Sequence, residues 1–206
     1  MTKIKFALFL ILPLMIAACQ STKHQTNTSI EQQWQNHRQI LEQINSFRVI
    51  GTIAHTGTAT KSYGRFLIDQ QSPDYYEVKL TTPVGTNVLT LKSKPDYAEM
   101  IDKSGGYYTD VNVEQLMKKV SNINIPLNSL HNWLKGFSND SQLDKLDSLG
   151  RLVTTSFMQN DNKWQLKIPS YATYTFKNQN IDLPAIIELS QGDELIRLKI
   201  IKWTLK

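Results

Sequence analysis

Cysteine is almost absent from this chain, because Cys19 is the only one among 206 residues. A single thiol excludes an internal disulfide, so the fold has to be held together by packing alone. Long apolar runs are also absent beyond the N-terminal segment, since no later stretch approaches the roughly 18 to 20 apolar residues of a membrane-spanning helix. These two absences exclude a disulfide scaffold and a bundle of membrane-spanning helices.

Charge of one sign and catalytic motifs are scarce as well. The formal net charge is only +5 and the charges are interspersed, which is far from the composition of a nucleic-acid-binding protein. The chain has no Gly-x-Ser-x-Gly elbow, no His-Glu-x-x-His, no glycine-rich phosphate loop and no Cys-x-x-Cys. Its histidines lack the spacing of metal ligands; they are His24, His37, His55 and His131. We therefore expect no enzyme, no metal site, no cofactor and no nucleic-acid partner.

The N-terminal segment has the layout of a bacterial export signal. Basic Lys3 and Lys5 precede an apolar run of 11 residues, Phe6 to Ile16, and small residues follow. The stretch Ile16-Ala17-Ala18-Cys19 resembles the lipobox of bacterial lipoproteins, with Ile16 in place of the favoured leucine. The alternative is an ordinary secreted protein with a chance cysteine at the cleavage site. We predict that residues 1–18 are a lipoprotein signal peptide.

The lipobox resemblance implies a covalent anchor on Cys19. Its thiol would carry a diacylglycerol and its freed amine a third acyl chain. One chain gives only reversible membrane binding, so three chains would hold the protein on a membrane. Residues 19–28 are polar and form the predicted tether. Gln20, in place of the aspartate that retains lipoproteins in the inner membrane, favours an outer-membrane address facing the periplasm.

Residues 29–206 have the pattern of one mostly β (α+β) domain. Ser29 and Gln32 form a capping box, which predicts a helix over residues 29–45. From Phe47 onwards apolar residues alternate with polar ones, and turn signals such as Ser72-Pro73-Asp74 recur every 10 to 12 residues. This spacing indicates an antiparallel meander of ten or eleven strands. The predicted strands are 47–53, 63–69, 75–82, 88–92, 97–102, 107–108, 151–158, 163–168, 171–176, 185–189 and 195–205.

Two further helices interrupt the strands. Asp110 or Asn112 is expected to cap a helix that runs to about residue 121. Pro126 is expected at the first position of another, which runs from Leu127 to Lys135 and ends at Gly136. Residues 137–149 are polar and predict a loop.

The last strand contains one irregularity. Ile196, Leu198 and Ile200 alternate cleanly, but Trp203 breaks that register by one residue. The break predicts a β-bulge or a second apolar surface near the C-terminus.

Several separated motifs resemble one family, the LolB family of outer-membrane lipoproteins. The most specific motif is a proline–leucine helix start followed by a tryptophan and a glycine. With the lipobox, the motifs are Thr82-Pro83-Val84-Gly85, Ile125-Pro126-Leu127-Asn128-Ser129-Leu130 with Trp133 and Gly136, Trp164, Leu183-Pro184, and Ile196 to Trp203. The resemblance implies a single open or incomplete antiparallel β-barrel, with helices covering an apolar cavity.

The resemblance also implies a function. Proteins of this family accept lipoproteins from the soluble periplasmic carrier LolA and insert them into the outer membrane. The implied partners are LolA, the acyl chains of cargo lipoproteins and the outer membrane, and we expect a monomer. The alternatives are an assembly lipoprotein that binds other proteins, a carrier of another amphiphile, and a membrane-tethered hydrolase, although no motif supports a hydrolase.

Two sets of site residues follow from the resemblance. Val84, between Pro83 and Gly85, matches the family's exposed apolar residue that assists membrane insertion, and its alternative role is core packing. The second set is expected to line the acyl-chain cavity, with plain core packing as the alternative for each member. These residues are Val49, Phe66, Leu80, Leu89, Leu91, Leu116, Trp133, Trp164, Leu166 and Ile196.

Overall fold

A computed structural model describes residues 29–59, 61–120, 129–138, 143–159 and 161–206. The predicted signal peptide and tether, residues 1–28, lie outside this part of the chain. Three helices are present in it: α1 (Ile30–Glu42), α2 (Val113–Val120) and α3 (Leu130–Lys135). The strands are β1 (Phe47–Thr56), β2 (Lys61–Ser72), β3 (Tyr75–Thr81), β4 (Asn87–Lys94), β5 (Tyr97–Asp102), β6 (Tyr107–Asp110), β7 (Lys145–Leu146), β8 (Leu152–Gln159), β9 (Asn162–Phe176), β10 (Gln179–Gln191) and β11 (Glu194–Leu205).

The strands form one antiparallel sheet in the order β6-β5-β4-β3-β2-β1-β11-β10-β9-β8-β7. Among the described residues, β6 and β7 end the sheet without pairing to each other. A sheet of this length curls because each strand is twisted relative to its neighbour. The predicted mostly β fold, with an open antiparallel sheet of ten or eleven strands, is confirmed.

Helix α1 begins where the sequence predicts. The Ser29 hydroxyl accepts a hydrogen bond from the Gln32 backbone N–H at 3.1 Å, which satisfies one of the free donors of the first turn. The helix ends at Glu42, three residues before the predicted end at residue 45. Trp34 and Leu41 are buried on the face that packs toward the sheet.

The predicted caps of the other two helices are also present. The Asn112 side-chain oxygen accepts from the Gln115 backbone N–H at 2.8 Å and begins α2. Gly136 ends α3 with a left-handed φ of 87°, a conformation that glycine adopts without steric cost. The predicted start of that helix at Pro126 lies outside the described residues.

Some predicted boundaries are wrong around β7, β9 and β10. The predicted loop 137–149 contains the two-residue strand β7, which pairs with β8. The predicted strands 163–168 and 171–176 are one strand, β9, because the β9–β10 register shifts between Ile186 and Glu188 and accommodates Pro169. Leu183-Pro184 does not precede a strand but lies inside β10, where the register shifts after Pro184.

The predicted irregularity near the C-terminus is a β-bulge. Ile50 pairs with Lys202 and Gly51 with Ile200, so Ile201 is the extra residue of β11. The bulge returns Trp203 to the buried face, where its ring lies 5.0 Å from the Phe47 ring. Ile201 is left exposed on the outer face.

The helices cover the buried face of the sheet. Helix α2 packs on β4, β5 and β6, whereas α1 and α3 pack on β10. Their buried side chains join the inward residues of the strands in one apolar core. Within the described residues, no helix combines the length and the apolar character that crossing a bilayer requires.

We predict that the stability of the fold decreases below about pH 6.5 because of His37. Burial is the main influence on this imidazole and lowers its pKa from the ordinary value of 6.5, against the opposing charge of Asp182. The folded protein therefore keeps the ring neutral while the unfolded chain takes up a proton. One such group changes the free energy of unfolding by at most about 1.4 kcal/mol per pH unit.

Urea unfolding of the wild type and His37→Gln at about pH 7.5 and about pH 5 tests this prediction. The decrease is expected in the wild type and much reduced in the variant. Carboxylates contribute little in this range, because their ordinary pKa values lie at about 4 and hydrogen bonds from Ser104 and Gly106 lower the pKa of Asp102 further, to about 2. An equal decrease in both proteins would contradict the assignment to His37.

Candidate functional site

The β3–β4 hairpin presents Val84 to solvent. The Gly85 N–H donates to the Thr82 carbonyl at 2.9 Å, and the Thr82 N–H donates to the Thr86 carbonyl at 2.8 Å. Pro83 has the fixed φ that suits its position in this turn, and Gly85 takes a left-handed φ of 95°. As a result Val84 lies at the tip with 90% of its surface exposed.

Because Val84 is exposed, transfer of the hairpin tip from water into an apolar phase is favourable. Full burial of a valine side chain is favourable by about 1.5 kcal/mol or more. The structure places Val84 outside the core, so core packing does not account for it. Its part in membrane insertion stays a prediction.

An apolar pocket lies at the base of this hairpin. Its volume is about 280 Å³, and its wall comes from β1, β2, β3, β4 and β11. Leu80 and Thr81 lead into the hairpin and Val88 follows it, so the pocket and the exposed tip are joined by the same two strands. The lining residues are Ile53, His55, Ser62, Tyr63, Gly64, Leu80, Thr81, Val88 and Ile196.

Strand register explains how these side chains come together. Ile53 and His55 are two residues apart on β1, so they share one face of the sheet. Ile53 pairs with Gly64 on β2, and His55 pairs with Ile196 on β11. A Cβ at Gly64 would lie 2.6 Å from the Thr81 carbonyl oxygen, so glycine is needed for β3 to approach β2 this closely.

One polar pair borders the pocket. The His55 imidazole Nε2 contacts a Glu194 carboxylate oxygen, which ties the end of β1 to the start of β11. His55 is half-buried. His55 therefore brings a partnered polar group, rather than an unpaired one, to a largely apolar wall.

The ten predicted cavity residues fall into two groups by burial, and one residue of each group lines the pocket. Leu80 and Leu89 are half-buried, and Leu80 and Ile196 line the pocket. Eight are buried within the core: Val49, Phe66, Leu91, Leu116, Trp133, Trp164, Leu166 and Ile196. Whether any of them contacts a bound acyl chain stays a prediction.

Sequence reasoning did not select Ile53, Tyr63 and Val88 as pocket residues. The alternation of β1 places Ile53 on the face of Val49, which was a usable signal. Val88 carried no such signal, because it is the extra residue where Leu80 pairs with Leu89 and Thr81 with Asn87. A bulge of this kind is invisible to a two-residue period.

A second groove, of about 410 Å³, is polar and charged. Arg48 and Lys206 both contact Asp69 in or beside it. Burial opposes ionisation of Asp69, but these hydrogen bonds outweigh it and lower its pKa. Its charges are thus largely paired, unlike an apolar binding site. In the described ranges, no three acidic, histidine or cysteine side chains are grouped so as to hold a metal ion.

The fold is similar to that of solved proteins named for the LolA superfamily or for lipoprotein sorting. A LolA superfamily protein from Nitrosomonas europaea superposes with a TM-score of 0.58 at 11% identity, over 86% of this chain and 94% of that one. A putative outer membrane lipoprotein-sorting protein domain from Vibrio parahaemolyticus gives a TM-score of 0.50 at 9% identity, over 86% and 92% of the two chains. The class of protein is therefore one built on an open antiparallel β-sheet of this fold.

Sequence comparison defines the family more narrowly. The model of the family "Outer membrane lipoprotein LolB" matches residues 45–203. The outer-membrane lipoprotein LolB of Photorhabdus laumondii is 35% identical over 98% of both chains. That of Serratia proteamaculans is 32% identical over the same share of each. The chain belongs to the LolB family of outer-membrane lipoproteins.

Proposed function

We propose that this protein is a receptor that accepts lipoproteins from the periplasmic carrier LolA and inserts them into the outer membrane. The observation that carries the proposal is the apolar pocket at the base of the exposed Val84 hairpin, in a protein of the LolB family. The mature domain, residues 29–206, is held on the periplasmic face by the acyl chains of Cys19 through a tether of residues 19–28. It acts as a monomer.

The pocket receives acyl chains of the cargo. Transfer of each CH₂ group from water into an apolar site is favourable by about 0.8 kcal/mol, so a chain needs no specific polar contact to bind there. The acyl chain passes from the carrier to the receptor and then to the membrane if each of these sites binds it more tightly than the one before. A tenfold preference corresponds to only about 1.4 kcal/mol, so neither a nucleotide nor a catalytic residue is required.

We expect a labelled lipoprotein to pass from purified LolA to a soluble form lacking residues 1–19, without nucleotide. Leu80→Glu is expected to lower this acceptance by about tenfold or more, because a charge in an apolar pocket is strongly disfavoured. A pull-down on the receptor measures the label it holds. Leu149→Glu is the matched control, since Leu149 is exposed and lies outside the pocket lining.

The outcome separates the proposal from its alternatives. If the label stays on an active carrier while the receptor is folded, the receptor function fails and an assembly lipoprotein that binds other proteins becomes the better interpretation. If Leu80→Glu accepts cargo as well as the wild type does, the pocket is not the acyl-chain site. Binding of another amphiphile in preference to a lipoprotein would identify a different cargo.

A further inference from the structure

We propose that Val84 is one part of a larger membrane-contact surface, the footprint, formed by Tyr63, Val84 and Val88. The footprint surrounds the mouth of the apolar pocket and places that mouth directly against the phospholipid bilayer. This inference rests on the proposed function only in taking the membrane as the destination of the cargo.

The three side chains are exposed and lie at one end of the sheet. Val84 is 90% exposed, Tyr63 59% and Val88 39%. Arg65 of β2 pairs with Thr81 of β3, so Tyr63 lies two residues nearer the end of the sheet that carries the hairpin. Val88 follows the hairpin by two residues and is unpaired in the β3–β4 ladder. All three therefore lie at the same end of the sheet, with Tyr63 on β2, Val88 on β4 and Val84 in the turn that joins β3 to β4.

The footprint is continuous with the pocket. Tyr63 and Val88 both line it, together with Leu80 and Ile196. An exposed apolar side chain on two sides of a pocket mouth has no favourable partner in water. Against a bilayer, the same side chains are buried, and an acyl chain leaves the pocket without crossing water.

The chemistry of the surrounding residues favours a bilayer over a protein partner. Tyrosine has an apolar ring and a polar tip, and it is enriched where hydrocarbon meets headgroups. Among the described residues the Tyr63 hydroxyl has no hydrogen-bond partner, so it is available to lipid headgroups. Lys61, two residues earlier, is exposed and forms no ion pair in the described part of the chain. A flexible lysine beside an apolar tip is typical of side chains that reach from the bilayer interior to its headgroups.

Two other exposed tyrosines provide matched controls. Tyr75 and Tyr97 are 40% and 38% exposed and begin β3 and β5, at the opposite end of the sheet. The Tyr97 hydroxyl contacts the Lys94 ammonium, and Tyr75 borders the charged groove. Neither residue adjoins the apolar pocket.

Fluorescence quenching in vesicles tests the footprint. The full lipidated protein is reconstituted into phosphatidylcholine vesicles, half of them prepared with chain-brominated lipid. Tyr63→Cys and Val88→Cys each introduce a free thiol, because the lipid occupies Cys19, and each is labelled with an environment-sensitive fluorophore. Tyr75→Cys and Tyr97→Cys are labelled in the same way. Bromine is expected to quench the labels at positions 63 and 88 about twofold more than those at 75 and 97, since only the former reach the acyl-chain boundary.

Two results would overturn the inference. One is quenching at a labelled Val84→Cys with none at positions 63 and 88. The other is equal quenching at positions 63, 88, 75 and 97. Because neither carrier nor cargo is present, a failure of lipoprotein transfer from LolA does not affect this result. If the labels at 63 and 88 are quenched but no lipoprotein is transferred from LolA, the footprint is supported and the proposed function is contradicted. If lipoprotein is transferred but these labels are not quenched, only the footprint is contradicted.

Discussion

Val84→Glu is expected to lower the incorporation of lipoproteins into membranes by at least about tenfold while leaving the fold intact. A carboxylate near the acyl chains costs up to about 3 kcal/mol, and valine is slightly favourable there. At 90% exposure, Val84 contributes little to the core. Incorporation is measured as labelled cargo that cofloats with protein-free vesicles after transfer from LolA.

The controls separate insertion from acceptance and from folding. Val111→Glu changes a similarly exposed valine, at 60%, that follows β6 and lies outside both the hairpin and the pocket. It is expected to behave as the wild type. The thermal midpoint of Val84→Glu is expected to match the wild type, and its acceptance of cargo from LolA should be preserved. Normal incorporation by Val84→Glu would show that the hairpin tip does not act on the membrane.

Gly51→Ala is expected to destabilise the fold by about 2 kcal/mol or more, which corresponds to roughly 4–8 °C in thermal midpoint for a chain of this size. A Cβ at this position would lie 2.4 Å from the Lys199 carbonyl oxygen and 2.5 Å from the Phe66 ring. The carbonyl belongs to the neighbouring strand β11, so it cannot move without disturbing the ladder. Urea unfolding of the wild type and the variant measures the difference in free energy.

Gly57→Ala is the matched control for this prediction. The three atoms nearest to a Cβ at Gly57 would all belong to the Glu194 carboxylate, at 2.4 to 2.8 Å, and the end of that flexible side chain can move away. Its effect on stability is expected to be small. The double variant Gly51→Ala, Phe66→Leu should recover only part of the loss, because the contact with the Lys199 carbonyl remains. Full recovery, or an unchanged stability of Gly51→Ala, would show that β1 and β11 are less tightly coupled than the structure indicates.

Local chemistry explains which parts of the fold could be predicted. The Ser29 cap, the Gly136 terminus and the turns between short strands each depend on a few neighbouring residues, so the sequence was sufficient for them. The continuity of β9 across Pro169 was not predictable, because it depends on a bulge against β10, which is distant in sequence. Strand β7 was missed because two residues carry no detectable period.

The same distinction applies to the candidate site. Val84 could be selected because proline and glycine on either side define a turn whose tip faces solvent. The composition of the pocket depends on which strands are neighbours and in which register, and β1 meets β11 across most of the chain. A single sequence does not contain that pairing, so the core residue Leu166 and the pocket residue Leu80 were indistinguishable before the structure was known.

The unpaired ends of the described sheet leave its width without the constraint of a closing ladder. A barrel that is closed by backbone hydrogen bonds has a fixed circumference, whereas β6 and β7 are two separate edges in the described structure. Helix α2 rests on the β4–β6 side and α3 on β10, so each half of the sheet carries its own helix. Among the described residues, no ladder hydrogen bond fixes the distance between these two edges. A change in the spacing of these edges would therefore disturb side-chain packing in the shared core but break no ladder hydrogen bond.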